Sequence, residues 1–218
     1  MIKTAIISVG DVYVMHLLAE RMAVFLFDEN DKYPLEIYIY GMELIISSLI
    51  ETLILISLGV LFDRLIVTFI FIICFSTIRI FTGGYHAETY IKCALVTVVS
   101  YILVLLSCEL LLKYCFDYLL FIGIFVFILS FILIRKFAPI ENKNKLLENK
   151  QRLKQISLLC LILEFVLFVT GLFANFSQAL VIVTTVLSVD VLMLVEVIRK
   201  GGGKNEKHSQ DCNKENMC

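Results

Sequence analysis

The sequence predicts an all-α, polytopic membrane protein with about six transmembrane helices and an amphipathic helix lying in the interface at its N-terminal end. Three observations lead there. Hydrophobic residues make up 60% of the chain, at a mean hydropathy of +0.91. Several apolar runs reach or approach the roughly 18 residues that carry a helix across the hydrocarbon core. These runs are too long and too uniformly apolar for barrel strands, so their backbone groups are satisfied within helices.

The N-terminal stretch is no cleavable signal peptide, because Asp11 interrupts its apolar patch and no small-residue cleavage site follows. Ile2, Ile6, Val9, Tyr13, Leu17, Val24 and Phe27 recur at helical spacing, with Lys3, Asp11, Glu20 and Arg21 between them. That pattern suits a helix in the interface, or against the bundle, better than one that crosses. Crossing helices are expected at 39–62, 65–81, 94–112, 117–134, 156–174 and 178–198. Very short connections at Asp63-Arg64 and from Lys113 to Asp117 join antiparallel neighbours. A basic loop, RKFAPIENKNKLLENKQRLK, separates the fourth and fifth crossings. Residues 1–198 form the membrane-embedded domain, and the polar 199–218 reads as a flexible tail.

Charge sets the expected orientation. With the N-terminus in the cytoplasm, only Arg64 and Lys113 of the 19 basic residues fall outside, the bias of positive-inside proteins. Both termini and the stretch RIFTGGYHAETYIKC, Arg79 to Cys93, then face the cytoplasm. Seven cysteines in and beside a reducing compartment give no disulfide framework. A formal net charge of −1 points to no nucleic-acid partner, and membrane lipids are the expected surroundings.

The chemistry concentrates in that stretch. His86 could lower the barrier to attack by the Cys93 thiol, or the two could be a solvated loop histidine and a small apolar residue at a helix end. Gly83-Gly84 lets the backbone leave helical geometry just before His86. Seven residues of straight helix span roughly 10 Å, too far for a hydrogen-bonded pair. A dyad therefore requires a chain break between them, with Cys93 in the first turns of the next helix and Thr89 as a plausible N-cap. Orphan amides at such a helix start favour a thiolate and can hold an acyl oxyanion.

Other candidates keep two readings each. Arg79 is a snorkelling anchor or a carboxylate clamp. Glu43 and Glu88 stand at the right depth to orient a histidine, or serve packing. The basic loop, with Lys143 and Lys145, attracts anionic lipid or an acidic peptide. A metal site lacks ligands, since no CxxC or HxxxH pattern completes one, and the tail's His208, Cys212 and Cys218 add only a loose set. No cofactor is expected. A transporter or a non-catalytic partner protein is the competing class, although paired halves with broken helices are missing from the pattern.

The motif YGME at Tyr40–Glu43, followed by an apolar helix and R-x3-GG-x-HA-x5-C, resembles the accessory gene regulator B family of quorum-sensing membrane peptidases. The matching residues are Tyr40, Gly41, Glu43, Arg79, Gly83, Gly84, His86, Ala87 and Cys93, joined by Ala138, Pro139, Asn144 and Lys145 in the basic loop. Leu146 departs from the family's frequent proline there, away from the dyad. The resemblance covers most of the first 150 residues. It implies a cysteine endopeptidase of the bacterial cell membrane, with Cys93 as nucleophile and His86 as base. The implied substrate is a small amphipathic propeptide with an acidic C-terminal tail, processed through a thioester to a thiolactone or lactone. It also implies a homodimer and favours peptide binding by Arg79 and the basic loop.

Overall fold

The computed structural model describes residues 15–27, 34–82, 90–114, 118–139 and 150–215. Among them every regular element is helical: α1 over 15–26, α2 (Leu35–Leu61), α3 (Leu65–Thr82), α4 (Tyr90–Tyr114), α5 (Leu119–Phe137), α6 (Lys150–Ala174) and α7 (Phe176–Glu215). The six helices α2 to α7 each contain a stretch long and apolar enough to cross a bilayer, as the sequence predicts. The protein is therefore a multi-pass membrane protein. Its outward surface agrees: Phe25, Leu61, Ile66, Phe121, Phe125 and Phe173 are all exposed. Lipid tails solvate such side chains at no cost, whereas water would not.

Two compact units make up the chain. The first combines Met1–Thr68 with Ala87–Ser100, and the second combines Phe69–His86 with Tyr101–Cys218. In the first unit, α1 rests on the beginning of α2 through Ala19 and Ala23, both buried against Met42. Phe27 stacks on Tyr38 with ring centroids 4.0 Å apart. The periodicity puts large residues such as Leu17 and Val24 on one face, yet alanines carry the contact and Val24 is exposed. Small residues let two helix backbones approach, so dispersion forces act over many atom pairs where no hydrophobic drive exists in lipid. Leu18, Met22 and Phe25 are left facing outward, as an interfacial helix requires.

The α2–α3 turn is a Schellman closure. Arg64 N–H donates to the Gly59 carbonyl at 2.8 Å, and Asp63 N–H donates to Val60 at 3.1 Å. Asp63 takes the left-handed conformation this closure needs, at φ 53°. Asp tolerates that region better than branched residues, whose Cβ meets the following carbonyl. Gly59 sits where the two helices cross: a Cβ there would lie 2.3 Å from Thr68 Oγ1. Asp63→Ile is expected to lower stability by about 1–2 kcal/mol, with Asp63→Gly at or above wild type, in thermal unfolding of the detergent-solubilised protein.

The second unit is built around α5, α6 and α7, which pack on one another in all three pairings. α7 buries 56% of its membrane window, through Ala179, Leu180, Val181, Val183, Val186, Val189 and Met193. Asn175 starts it by accepting from Ser177 N–H on its side-chain oxygen, at 3.2 Å. α5 and α6 meet at a glycine, Gly123, against the buried ring of Phe168. Phe127 and Phe165 complete that aromatic cluster. Phe71 of α3 packs on Phe75 and on Tyr101 of α4. The helical backbone of α7 runs on through Gly201–Gly203 to Glu215, beyond Arg199 where composition leads to the expectation of an irregular chain. Each glycine costs a helix interior about 1 kcal/mol, so this extension is the least self-stabilised part of α7.

Hydroxyls inside the spans are mostly satisfied at home. Thr52, Ser57, Thr82, Ser157 and Thr185 each donate to the carbonyl four residues earlier on the same helix, and Ser188 to the one three earlier. A polar group in lipid costs several kcal/mol if unpaired, and this local bond removes the penalty without a partner helix.

Candidate active site

α3 ends at Thr82 and α4 begins at Tyr90. The segment in which a His86–Cys93 dyad requires a break lies between these two helices, outside the described residues. Cys93 lies in the first turn of α4, half-buried, as the sequence reading expects. Gly83, Gly84, His86, Glu88 and Thr89 lie outside the described residues, as do Lys143 and Lys145.

Around Cys93 in the first unit, the Cys93 carbonyl accepts from the Thr97 hydroxyl at 3.1 Å. That hydroxyl also lies 3.4 Å from Glu51 Oε2 on α2, a long contact that places α4 beside α2 one turn past the thiol. Lys92 is exposed next to Cys93. The first backbone amides of an α-helix have no acceptor within the helix itself, so the opening turn that holds Cys93 is a setting in which an acyl oxyanion can be stabilised.

Glu43 is engaged by a residue the sequence does not single out. His16 Nδ1 and Glu43 Oε1 are 2.7 Å apart, linking α1 to α2. Glu43 is 12% exposed and His16 is 54% exposed, so the carboxylate is sheltered while the ring's other edge meets the surroundings. Twenty-seven residues of chain separate the two, so no local spacing announces the pair. Gly41, the glycine of the YGME motif, has nothing of the described residues within 4 Å of where a Cβ would stand. Packing among the described residues therefore does not require glycine there.

In the second unit, the Arg79 guanidinium stacks over the Phe75 ring at 5.1 Å, one turn back on α3. The basic cluster at the α5–α6 connection is similarly braced. Arg135 lies over Phe131 at 5.7 Å and Lys136 over Phe137 at 5.3 Å. Lys154 Nζ donates to the Arg135 carbonyl, tying the start of α6 to the end of α5. These aromatic stems hold the cations at the ends of their helices, where an anionic headgroup or an acidic peptide can meet them. Among the described residues, no group of three or more His, Cys, Asp or Glu side chains is arranged to hold a metal ion.

The family model for accessory gene regulator B matches residues 19–195 of the chain. AgrB-like protein 2 of Clostridium perfringens (strain 13) is 29% identical over 145 residues, which is 66% of this chain and 67% of that protein. An AgrB-like protein of Clostridium perfringens (strain SM101) is 29% identical over 142 residues, 64% of this chain and 65% of that one. Another from Clostridium beijerinckii is 32% identical over 130 residues, 59% of this chain and 63% of its own length. The aligned stretches thus span about two thirds of these relatives, which are named only by likeness to AgrB. No solved structure matches the chain.

Proposed function

The chain belongs to the accessory gene regulator B family, and from that premise we propose that it is a membrane-embedded cysteine endopeptidase that processes a quorum-sensing propeptide. The single observation that carries this reading is the placement of Cys93 in the opening turn of α4, with the GGYHA motif in the sequence between α3 and α4. A thiol in the middle of a continuous helix would lie away from the helix start and would have no route to His86.

The proposed reaction proceeds in two transfers. Cys93 Sγ attacks a backbone carbonyl of the propeptide, and His86 takes the thiol proton and delivers it to the departing amine. The peptide C–N bond breaks, the acidic C-terminal fragment leaves, and a thioester remains on Cys93. A thiol (or hydroxyl) within the retained peptide then attacks the thioester carbonyl, closing a thiolactone (or lactone) ring and returning the proton to Cys93. Peptide to thioester is uphill, and thioester to thiolactone is nearly level. Water must therefore be kept from the intermediate, and helix ends among lipid provide that exclusion. Residues 1–198 carry the activity, and the site faces the cytoplasm, where the charge bias of the loops would put it. Arg79 and the cations of the α5–α6 connection, Lys143 and Lys145 included, suit the acidic tail of the substrate. Gly83 and Gly84 supply the turn before His86, and Glu43 or Glu88 orients the ring. The enzyme works as a homodimer in this reading.

The direct test is capture of the acyl-enzyme. Protein reconstituted in vesicles with an amphipathic propeptide bearing an acidic tail should yield an adduct on Cys93, seen by intact mass and released by hydroxylamine. Cleavage without any hydroxylamine-sensitive adduct would count against the thioester route.

A further inference from the structure

Thr77 on α3 and Glu164 on α6 form a buried polar contact inside the second unit, with the Thr77 hydroxyl 2.8 Å from Glu164 Oε1. Glu164 is only 3% exposed, and its other oxygen, Oε2, has no hydrogen-bond partner among the described residues. The same Thr77 hydroxyl lies 2.9 Å from the Ile73 carbonyl and 3.1 Å from the Cys74 carbonyl. A hydroxyl has one proton and two acceptor sites. If Glu164 were ionised, its charge would rest in the hydrocarbon zone on a single neutral donor, with one oxygen bare. That arrangement costs far more than the bond returns. A neutral acid resolves the geometry: its O–H donates to Thr77 Oγ1, and Thr77 O–H donates back to its own helix at Ile73 or Cys74. Among the described residues its titratable neighbours are Cys74 on α3, Cys160 on α6 and Asp190 on α7, none of which carries a positive charge to stabilise an anion. Asp190 is held separately, by the Ser130 hydroxyl of α5 at 2.6 Å.

Position gives the contact its consequence. Thr77 is five residues from the end of α3, two before Arg79, and the chain beyond Thr82 leads directly into His86. A bond between α3 and α6 at this depth fixes both the rotation of α3 about its axis and its height in the membrane. We propose that Glu164 is a positioning residue: as a neutral acid it donates to Thr77, and this buried bond sets where α3 releases the chain that carries His86. The inference rests on the peptidase reading above. A displacement of about 1 Å in a catalytic group costs up to about 100-fold in rate, so loss of the bond should appear in turnover more than in substrate binding.

The experiment uses full-length protein in vesicles with the propeptide. Thr77→Val keeps the shape and removes the hydroxyl; it should lower kcat by about 10–100-fold, leave KM unchanged, and slow alkylation of Cys93. Thr77→Ser should restore both. Glu164→Gln keeps a donor on the same stem and should retain near-native turnover, whereas Glu164→Leu should behave as Thr77→Val. Infrared difference spectra between wild type and Glu164→Gln should show a protonated-carboxyl band that shifts in Thr77→Val. Native turnover in Thr77→Val with Cys93→Ala inert would overturn this inference alone. Loss in Glu164→Gln as deep as in Glu164→Leu would overturn the neutral-acid assignment. Native cleavage by Cys93→Ala would instead sink the peptidase reading, and the infrared band would still decide the state of Glu164.

Discussion

Cys93→Ala is expected to leave no propeptide cleavage, and His86→Ala to lower it by about 10²–10⁴-fold, the usual contribution of a positioned general base. The asymmetry has a chemical reason. Without Cys93 there is no atom to form the thioester, whereas without His86 the thiol can still lose its proton to solvent, slowly. Cys93→Ser should also be inactive in practice, because a hydroxyl is a far poorer nucleophile than a thiol at neutral pH. Alanine at position 93 removes one atom from a half-buried site in the first turn of α4, so insertion and folding should persist. The measurement is appearance of the released acidic fragment from propeptide in vesicles, with protein amount matched by detergent extraction. Normal release by either alanine variant would end the dyad assignment. The same variants separate the enzyme from a transporter or inert partner: a thiol probe should label Cys93 selectively and in a His86-dependent way.

Gly123→Ala should destabilise the second unit by about 1–3 kcal/mol, a large effect for one added methyl group. A Cβ at Gly123 would lie 2.2 Å from Phe168 Cζ and 2.6 Å from Cε1, well inside van der Waals contact. Phe168 has no exposure and is hemmed in by Phe127 and Phe165, with centroids 5.6 and 6.3 Å away, so its ring has little room to retreat. Either α5 and α6 separate or the ring leaves its rotamer. Both lose dispersion contacts that hold helices together where lipid offers no hydrophobic drive. A double-mutant cycle with Phe168→Leu tests the cause. The smaller side chain vacates the space, so the pair should be less destabilised than the sum of its members. Unchanged thermal or denaturant unfolding of Gly123→Ala in detergent would refute the close packing of α5 on α6.

Much of the fold was legible because lipid imposes one rule on every residue of a span. Apolar length alone located α2 to α7, with most boundaries shifted by a few residues, α6 begun earlier, at Lys150, and α7 continued past its crossing to Glu215. The packing was less legible for the same reason. In water, the buried face of a helix is apolar and the exposed face polar, so periodicity reveals it. In lipid both faces are apolar, and several of the close approaches fall at Ala19, Ala23, Gly59, Gly123 and Gly171, small residues that apolar periodicity does not single out. The candidate site was legible where motif spacing demanded a geometry: Cys93 near a helix start. The partners His16–Glu43 and Thr77–Glu164 were not, because 27 and 87 residues of chain separate them and no local pattern links such pairs. By depth alone Glu43 suits either orienting a histidine or packing; in the structure its Oε1 also lies 2.7 Å from His16 Nδ1.

The self-bonded hydroxyls of the spans carry a consequence for how such a protein changes over generations. A Thr or Ser that donates to its own helix, as at Thr52, Ser57 and Thr185, can arise or vanish with little effect on insertion. Polar atoms can thus accumulate across a lipid-embedded chain as neutral drift. One of them needs only a carboxyl on a neighbouring helix to become a cross-link, as Thr77 has with Glu164. Such a bond is assembled in two tolerable steps if the hydroxyl comes first, and requires an unpartnered acid in the membrane if it comes second. Ancestral sequences should therefore have acquired Thr77 before Glu164.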